Sequence, residues 1–399
     1  MEEFGGGDSG KSKRDIAVAQ WVEDNEDAAM ASVLLVSKPI VPPWHDSSKN
    51  LVRDLATHMQ RHTPWVLSQP GAVLELPRAR VEPLYPQRAA GFAPALADNA
   101  RVLGRLLVGR RADLWHFFFA PNPKTSTVAA LCARARRART VQTVCSAPRE
   151  DIDPKRVLFA DRVVVLSKHT QQRFLEAGIP AETLRLIRPA IAPLRPLSEV
   201  ERDAARMRLG WSVGRPVVVY AGDLEFGCGA DRAIDAHRAL PPTLNAALVM
   251  ACRAKTARAK EREIALKARV QEIGCSDSVS WLGETLRIHD VLAASDLVTL
   301  PTDTLYAKMD LPLVLVEAMA LGRAVLVGEG TPAVELTEGG AAVSVPTLSE
   351  AVAEATRGLL EDSAGRAALG ERARHAAVEL YGAPRMASAY ETLYDELCA

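Results

Sequence analysis

Pro189-Ala190-Ile191-Ala192-Pro193-Leu194-Arg195-Pro196 divides the chain. Three prolines in eight residues make a stiff connection that neither a helix nor a central strand tolerates. Before it, β-branched and aromatic runs at Val33 to Val36, Ala112 to Phe119, Thr140 to Val144, Arg162 to Leu166 and Leu184 to Ile187 read as strands. Amphipathic stretches at Asn50 to His62, Ala95 to Val108 and Thr125 to Ala138 lie between them. After it the same order restarts, with strands at Pro216 to Ala221, Ala246 to Ala251, Ser278 to Trp281, Leu297 to Leu300 and Ala324 to Val327. Helices are expected at Asp231 to Leu240, Lys260 to Ile273, Ile288 to Ala294 and Leu313 to Leu321. Alternation at this spacing gives a parallel sheet with helices on both faces. The fold class is therefore α/β, with two doubly wound, Rossmann-like domains facing a cleft.

The expected bounds are a leader at 1–30, a first domain at 31–195, a second at 196–383, and a final amphipathic helix at 384–399. That last helix carries Tyr390, Leu393, Tyr394 and Leu397 at helical spacing and should pack back on the body. A chain of 399 residues exceeds one ordinary core, in keeping with two domains. Hydrophobic residues make up 48% and charged residues 25%, which excludes a fibrous or wholly disordered chain. No apolar run approaches the ~20 residues of a membrane span. The six cysteines form no CxxC pair, which argues against a zinc ribbon or a secreted disulfide framework and for a cytoplasmic protein.

The leader contains Gly5, four residues, then Gly10-Lys11-Ser12, the literal phosphate-loop pattern. That loop needs a buried strand feeding it, and only Met1 to Phe4 precede Gly5. A flexible segment is the better reading.

The net charge of zero hides an asymmetry. Residues 1–30 hold 3 Lys/Arg against 8 Asp/Glu, residues 31–195 hold 25 against 12, and residues 196–399 hold 21 against 29. The first domain should prefer an anionic partner. Its arginines at 101, 105, 110, 111, 134, 136, 137 and 139 are interleaved with Leu103, Leu106, Leu107 and Val108. Either the leucines fill a core beneath a solvated basic face, or the face meets an anionic bilayer.

In the second domain, Val217 to Asp223, Trp281-Leu282-Gly283, Ala294-Ser295-Asp296-Leu297-Val298 and Glu317-Ala318-Met319-Ala320-Leu321-Gly322-Arg323-Ala324-Val325 resemble the donor-binding half of a retaining glycosyltransferase of family 4. The resemblance extends over nearly everything from residue 31 onward and implies the GT-B fold. It also implies a hexosyl transfer from a nucleotide sugar, independent of metal and with no cofactor besides the donor. Glu317, projecting from a helix that follows a loop, would take the vicinal diol of the donor, since a carboxylate accepts two hydrogen bonds. A solvated helix-start Glu is the bland counterpart, at odds with its apolar neighbours Val314, Leu315, Val316, Ala318 and Met319.

The family commonly places another Glu eight positions earlier, against the transferred sugar. Met309 stands there, so Asp310 becomes the candidate carboxylate and Lys308 a phosphate ligand. The family also offers bases after the glycine matching Gly222, where this chain reads Asp223-Leu224-Glu225-Phe226-Gly227-Cys228-Gly229. Arg253 and Lys255, beyond the next strand, are the substitutes for holding the diphosphate, unless they belong to a solvated basic turn. Asp113-Leu114-Trp115-His116 resembles the family's strand ending in an acceptor-side histidine, making His116 the other catalytic candidate; a satisfied core histidine is the alternative. In the first strand-to-helix loop, Asp46, Ser47 or Ser48 can cap the helix while its amides, Ser48 and Lys49 face the donor phosphate.

The expectation is a cytoplasmic transferase, either free or at the inner face of the cytoplasmic membrane, with no nucleic-acid partner and an unidentified acceptor for which a lipid-linked molecule or a glycan are the options. An epimerase or phosphorylase of the same fold, or a non-catalytic sugar-binding scaffold, are the alternatives.

Overall fold

A computed structural model describes residues 30–44, 46–87, 95–149, 151–306 and 308–399. The leader and its phosphate-loop look-alike lie outside the described residues.

Among the described residues the first domain holds seven strands: β1 (Ser32–Val36), β2 (Thr63–Ser68), β3 (Arg80–Pro83), β4 (Leu114–Phe118), β5 (Arg139–Val144), β6 (Arg162–Val165) and β7 (Leu184–Leu186). Their order is β3-β2-β1-β4-β5-β6-β7, and every pairing is parallel. Helices α1 (Ser47–His58), α2 (Leu96–Val108), α3 (Pro123–Arg136) and α4 (Lys168–Glu176) cover the faces. All five residues of β4 are buried, as a central parallel strand covered on both sides requires.

The second domain orders six parallel strands β10-β9-β8-β11-β12-β13. These are β8 (Val217–Tyr220), β9 (Ala247–Met250), β10 (Val279–Trp281), β11 (Leu297–Leu300), β12 (Ala324–Gly328) and β13 (Val343–Val345). Around them pack α5 (Glu199–Arg208), α6 (Gly229–Ala239), α7 (Ala257–Glu272), α8 (Ile288–Ala294), α9 (Leu313–Ala320), α10 (Ser349–Glu361) and α11 (Ser363–Leu380). Strand order reverses between β1 and β4, and again between β8 and β11, which opens a crevice at the carboxyl ends of those strands.

The final helix α12 (Ala383–Cys398) crosses back to the first domain and lies on α1. Glu391 fixes it there: its carboxylate accepts the N–H groups of Gln60, at 2.8 Å, and of Arg61 and His62, beyond the carboxyl end of α1. The outgoing and returning connections run side by side, with the Ile191 N–H on the Tyr381 carbonyl at 3.0 Å.

One carboxylate organises the base of the second sheet. Asp296 accepts from Arg202 at 2.5 Å, Arg206 at 2.6 Å and the Val217 N–H at 2.7 Å, joining α5 to β8 and β11. Burial pushes its carboxyl up, but Arg202, Arg206 and the Val217 N–H together outweigh that and hold it below its ordinary 3.8.

Candidate functional site

Beyond β8 and β11 the second domain opens a cavity of about 160 Å³. Ala221, Gly222 and Asp223 form one wall and Thr302 and Thr304 another; Lys255, Lys308, Met309 and the start of α9 close it. Ser47 reaches it from the first domain, so the cavity lies at the crevice between the sheets. Gly222 has a steric reason: a Cβ there would run into the Tyr220 hydroxyl and Leu300. That hydroxyl is committed to the Asp223 carbonyl at 2.8 Å, which folds the loop tightly back on β8.

The sequence offers no base between Gly222 and Gly229, and the structure brings one there from another loop. Lys308 lies 2.6 Å from Asp223. The other Asp223 oxygen accepts the N–H groups of Glu225 and Phe226 at 2.7 and 2.8 Å. Burial raises the Asp223 carboxyl, but Lys308 and these amides outweigh it and hold it below its usual value. Lys255, by contrast, is brought down to about 8 by burial and by the neighbouring charges of Lys308 and Arg253. An anion in the cavity would reverse that displacement.

No side chain caps the N-terminus of α9, whose first residues Leu313 and Val314 line the cavity. Glu317 is in the second turn of that helix, not at its start, and does not line the cavity. It is held 3.5 Å from His289, whose imidazole is raised above 6.5 by this hydrogen bond. Glu317 also contributes to raising Asp54 of α1, after burial, the largest cause.

Neither candidate catalytic group lines the cavity. His116 is fully buried, with Nδ1 at 2.6 Å from the Tyr394 hydroxyl and Nε2 at 2.8 Å from Thr143 Oγ1. Burial drives its imidazole well below 6.5, so it is a neutral core histidine joining β4 to α12. Asp310 turns away from the cavity into the first domain, where Ser167 and Thr170 donate to its carboxylate and its own N–H reaches the Cys145 carbonyl at 3.0 Å. Burial raises the Asp310 carboxyl; the two hydroxyls oppose this without cancelling it.

Among the donor-side candidates, Gly222, Lys255, Lys308 and Met309 line the cavity. Arg253 pairs with Glu284 at 2.9 Å. Asp46 is the cap of α1, and the Ser48 N–H and hydroxyl both go to it, at 3.0 and 2.6 Å. Lys49 is buried against the Trp44 ring, with its ammonium 3.4 Å from the Pro43 carbonyl. Sequence reasoning missed Asp223, Thr302 and Thr304 as cavity residues; their signal is position, just past the carboxyl ends of β8 and β11.

The fold comparison decides the architecture. Anabaena HepE in complex with UDP-glucose superposes with a TM-score of 0.72 at 21% identity, covering 91% of this chain and 99% of that one. The fold is GT-B. Sucrose-phosphate synthase from Thermosynechococcus elongatus gives a TM-score of 0.72 at 19% identity, and WaaG, a glycosyltransferase involved in lipopolysaccharide biosynthesis, gives 0.66 at 18%; both comparisons cover 92% of this chain and 99% of the other. Residues 201–376 of the GT-B chain match the family model described as glycosyl transferases group 1. A sequence search of curated proteins finds no match.

Proposed function

We propose that this GT-B protein moves a hexosyl group from a nucleotide sugar to an acceptor hydroxyl with retention of configuration. The carrying observation is the cavity beyond β8 and β11, where Lys255, Lys308 and the uncapped start of α9 converge. A diphosphate leaving group gathers negative charge as its bond to the sugar breaks, and fixed cations and helix N–H dipoles stabilise that charge without reorganising. The acceptor oxygen bonds to the anomeric carbon on the face the phosphate leaves, and its proton passes to the departing phosphate oxygen. No protein nucleophile, metal or further cofactor enters this reading.

Titration with UDP-glucose, other nucleotide sugars and UDP, followed by a donor-hydrolysis assay, tests it. Binding with slow hydrolysis is expected; no binding by any nucleotide sugar overturns it. The sugar-binding scaffold has one observation in its favour, because Asp223 fills with a carboxylate the two amides and the lysine that would otherwise meet phosphate. Binding without turnover would select it.

The acceptor side supports contact with an anionic membrane. Leu106 is buried and Leu103 packs against the core, whereas Leu96, Val108 and Leu131 are 88%, 85% and 58% exposed, and the exposed Arg101, Arg111, Arg134 and Arg137 lie on the same two helices, α2 and α3, and their adjoining turns. Core packing therefore takes up Leu103 and Leu106 and leaves Val108, Leu96 and Leu131 at the surface. Each base near an anionic surface contributes ~1 kcal/mol before screening, and the apolar side chains add insertion. Liposome sedimentation should recover the protein with anionic vesicles and lose it at high salt. Equal recovery in the supernatant with anionic and neutral vesicles removes the membrane from the proposal.

A further inference from the structure

We propose that Asp310 is a positioning residue through which the first domain sets the shape of the donor cavity. The proposal rests on that cavity being the donor site. Three consecutive residues carry it. Lys308 and Met309 line the cavity, and Lys308 is held by Asp223 within the second domain. The next residue, Asp310, makes its hydrogen bonds to the first domain: its N–H to the Cys145 carbonyl beyond β5, and its carboxylate to Ser167 and Thr170 at the start of α4. One loop thus has its cavity face in one domain and its anchor in the other.

The anchor is built to hold. Ser167 Oγ accepts the Thr170 N–H at 3.0 Å, capping α4, while its proton goes to Asp310; Thr170 Oγ1 donates to the second carboxylate oxygen at 2.7 Å. Asp310 is almost fully buried, and a charge-assisted hydrogen bond in a dry site is stronger than one facing water. Around it, Glu335 accepts the His169 N–H at 2.7 Å, and Glu338 meets Lys168 at 2.8 Å and Arg188 at 3.4 Å. The paired connections at Ile191 and Tyr381 are a further junction between the domains. Rotation about them pulls on Asp310 directly, so parting the domains displaces Lys308 and Met309. By reciprocity, a ligand that holds Lys308 in place favours the joined domains.

Hydrogen exchange of the full chain, first without ligand, tests this. Thr170→Val removes one donor to Asp310, touches no cavity atom and leaves the cap of α4 intact. It should speed exchange of the amides of residues 308–315 by about tenfold, the loss expected of one charge-assisted hydrogen bond, while β8 and β11 keep their protection. Thr170→Ser, which keeps the hydroxyl, should restore the wild-type rates. The dissociation constant for UDP should rise by a similar factor in Thr170→Val and recover in Thr170→Ser. Unchanged exchange at 308–315, or an increase spread equally over both sheets, overturns the proposal. If UDP fails to bind the wild-type chain, the donor-site reading falls and the exchange measurement alone decides the role of Asp310.

Discussion

Asp296→Ala should cost the second domain about 3–5 kcal/mol, the usual result of removing one partner from a buried ion pair. Arg202 and Arg206 would be left facing each other, and Arg206 is almost fully buried. Arg366 lies 3.7 Å from the same carboxylate, and Arg323, whose guanidinium burial already brings down to about 10, feels this cluster as well. Against a total of roughly 5–15 kcal/mol, the loss would show as a large drop in Tm. The same group sets an acid limit. Its folded pKa lies below the ordinary 3.8, so its stabilisation is fully present above that value and is lost as pH falls through the depressed one. The wild type should lose stability below about pH 4 more steeply than Asp296→Ala does, provided other carboxylates titrate alike in both. Denaturant titrations of the two proteins between neutral and acid pH check this; parallel curves would remove Asp296 as the source.

A nucleotide sugar that extends past the cavity lining to Glu317 would lose a hydrogen bond in Glu317→Gln, weakening UDP-glucose binding roughly ten- to a hundredfold, since a hydrogen bond to a charged group is worth about 1.5–3 kcal/mol. The substitution keeps the shape of α9 and removes the charge that meets His289 at 3.5 Å. His289 is half exposed, so losing this pair should move Tm little. Calorimetric titration beside a melting curve separates the two roles. Unchanged affinity with a lowered Tm would make Glu317 a structural partner of His289.

The two parallel sheets were readable because parallel strands buried on both faces leave continuous apolar runs, such as Val217 to Tyr220. β2 was not readable. Pro64 stands in its second position, where proline ordinarily argues against an inner strand, yet Trp65 and Val66 pair on both sides. β3, short and exposed, has no apolar run to notice. The cavity wall around Gly222 could be placed because it follows a strand. His116 and Asp310 could not, because their partners are distant in the chain: Tyr394 is 278 residues from His116, and Ser167 is 143 residues from Asp310. Local pattern reports which face a residue takes, and it carries no information about which remote hydroxyl will meet it there.

The return of α12 to the first domain also bears on the order in which the protein is made. Tyr390 and Tyr394 are buried against Thr143 and His116, and Glu391 holds the N–H groups that follow α1. These residues leave the ribosome after the whole second domain, at ≈ 5–20 residues per second. Until then the first domain waits with His116 lacking its Tyr394 partner and a stripe of α1 uncovered. The first domain precedes the second along the chain yet is completed after it, and its completion certifies that the second domain has already been synthesised.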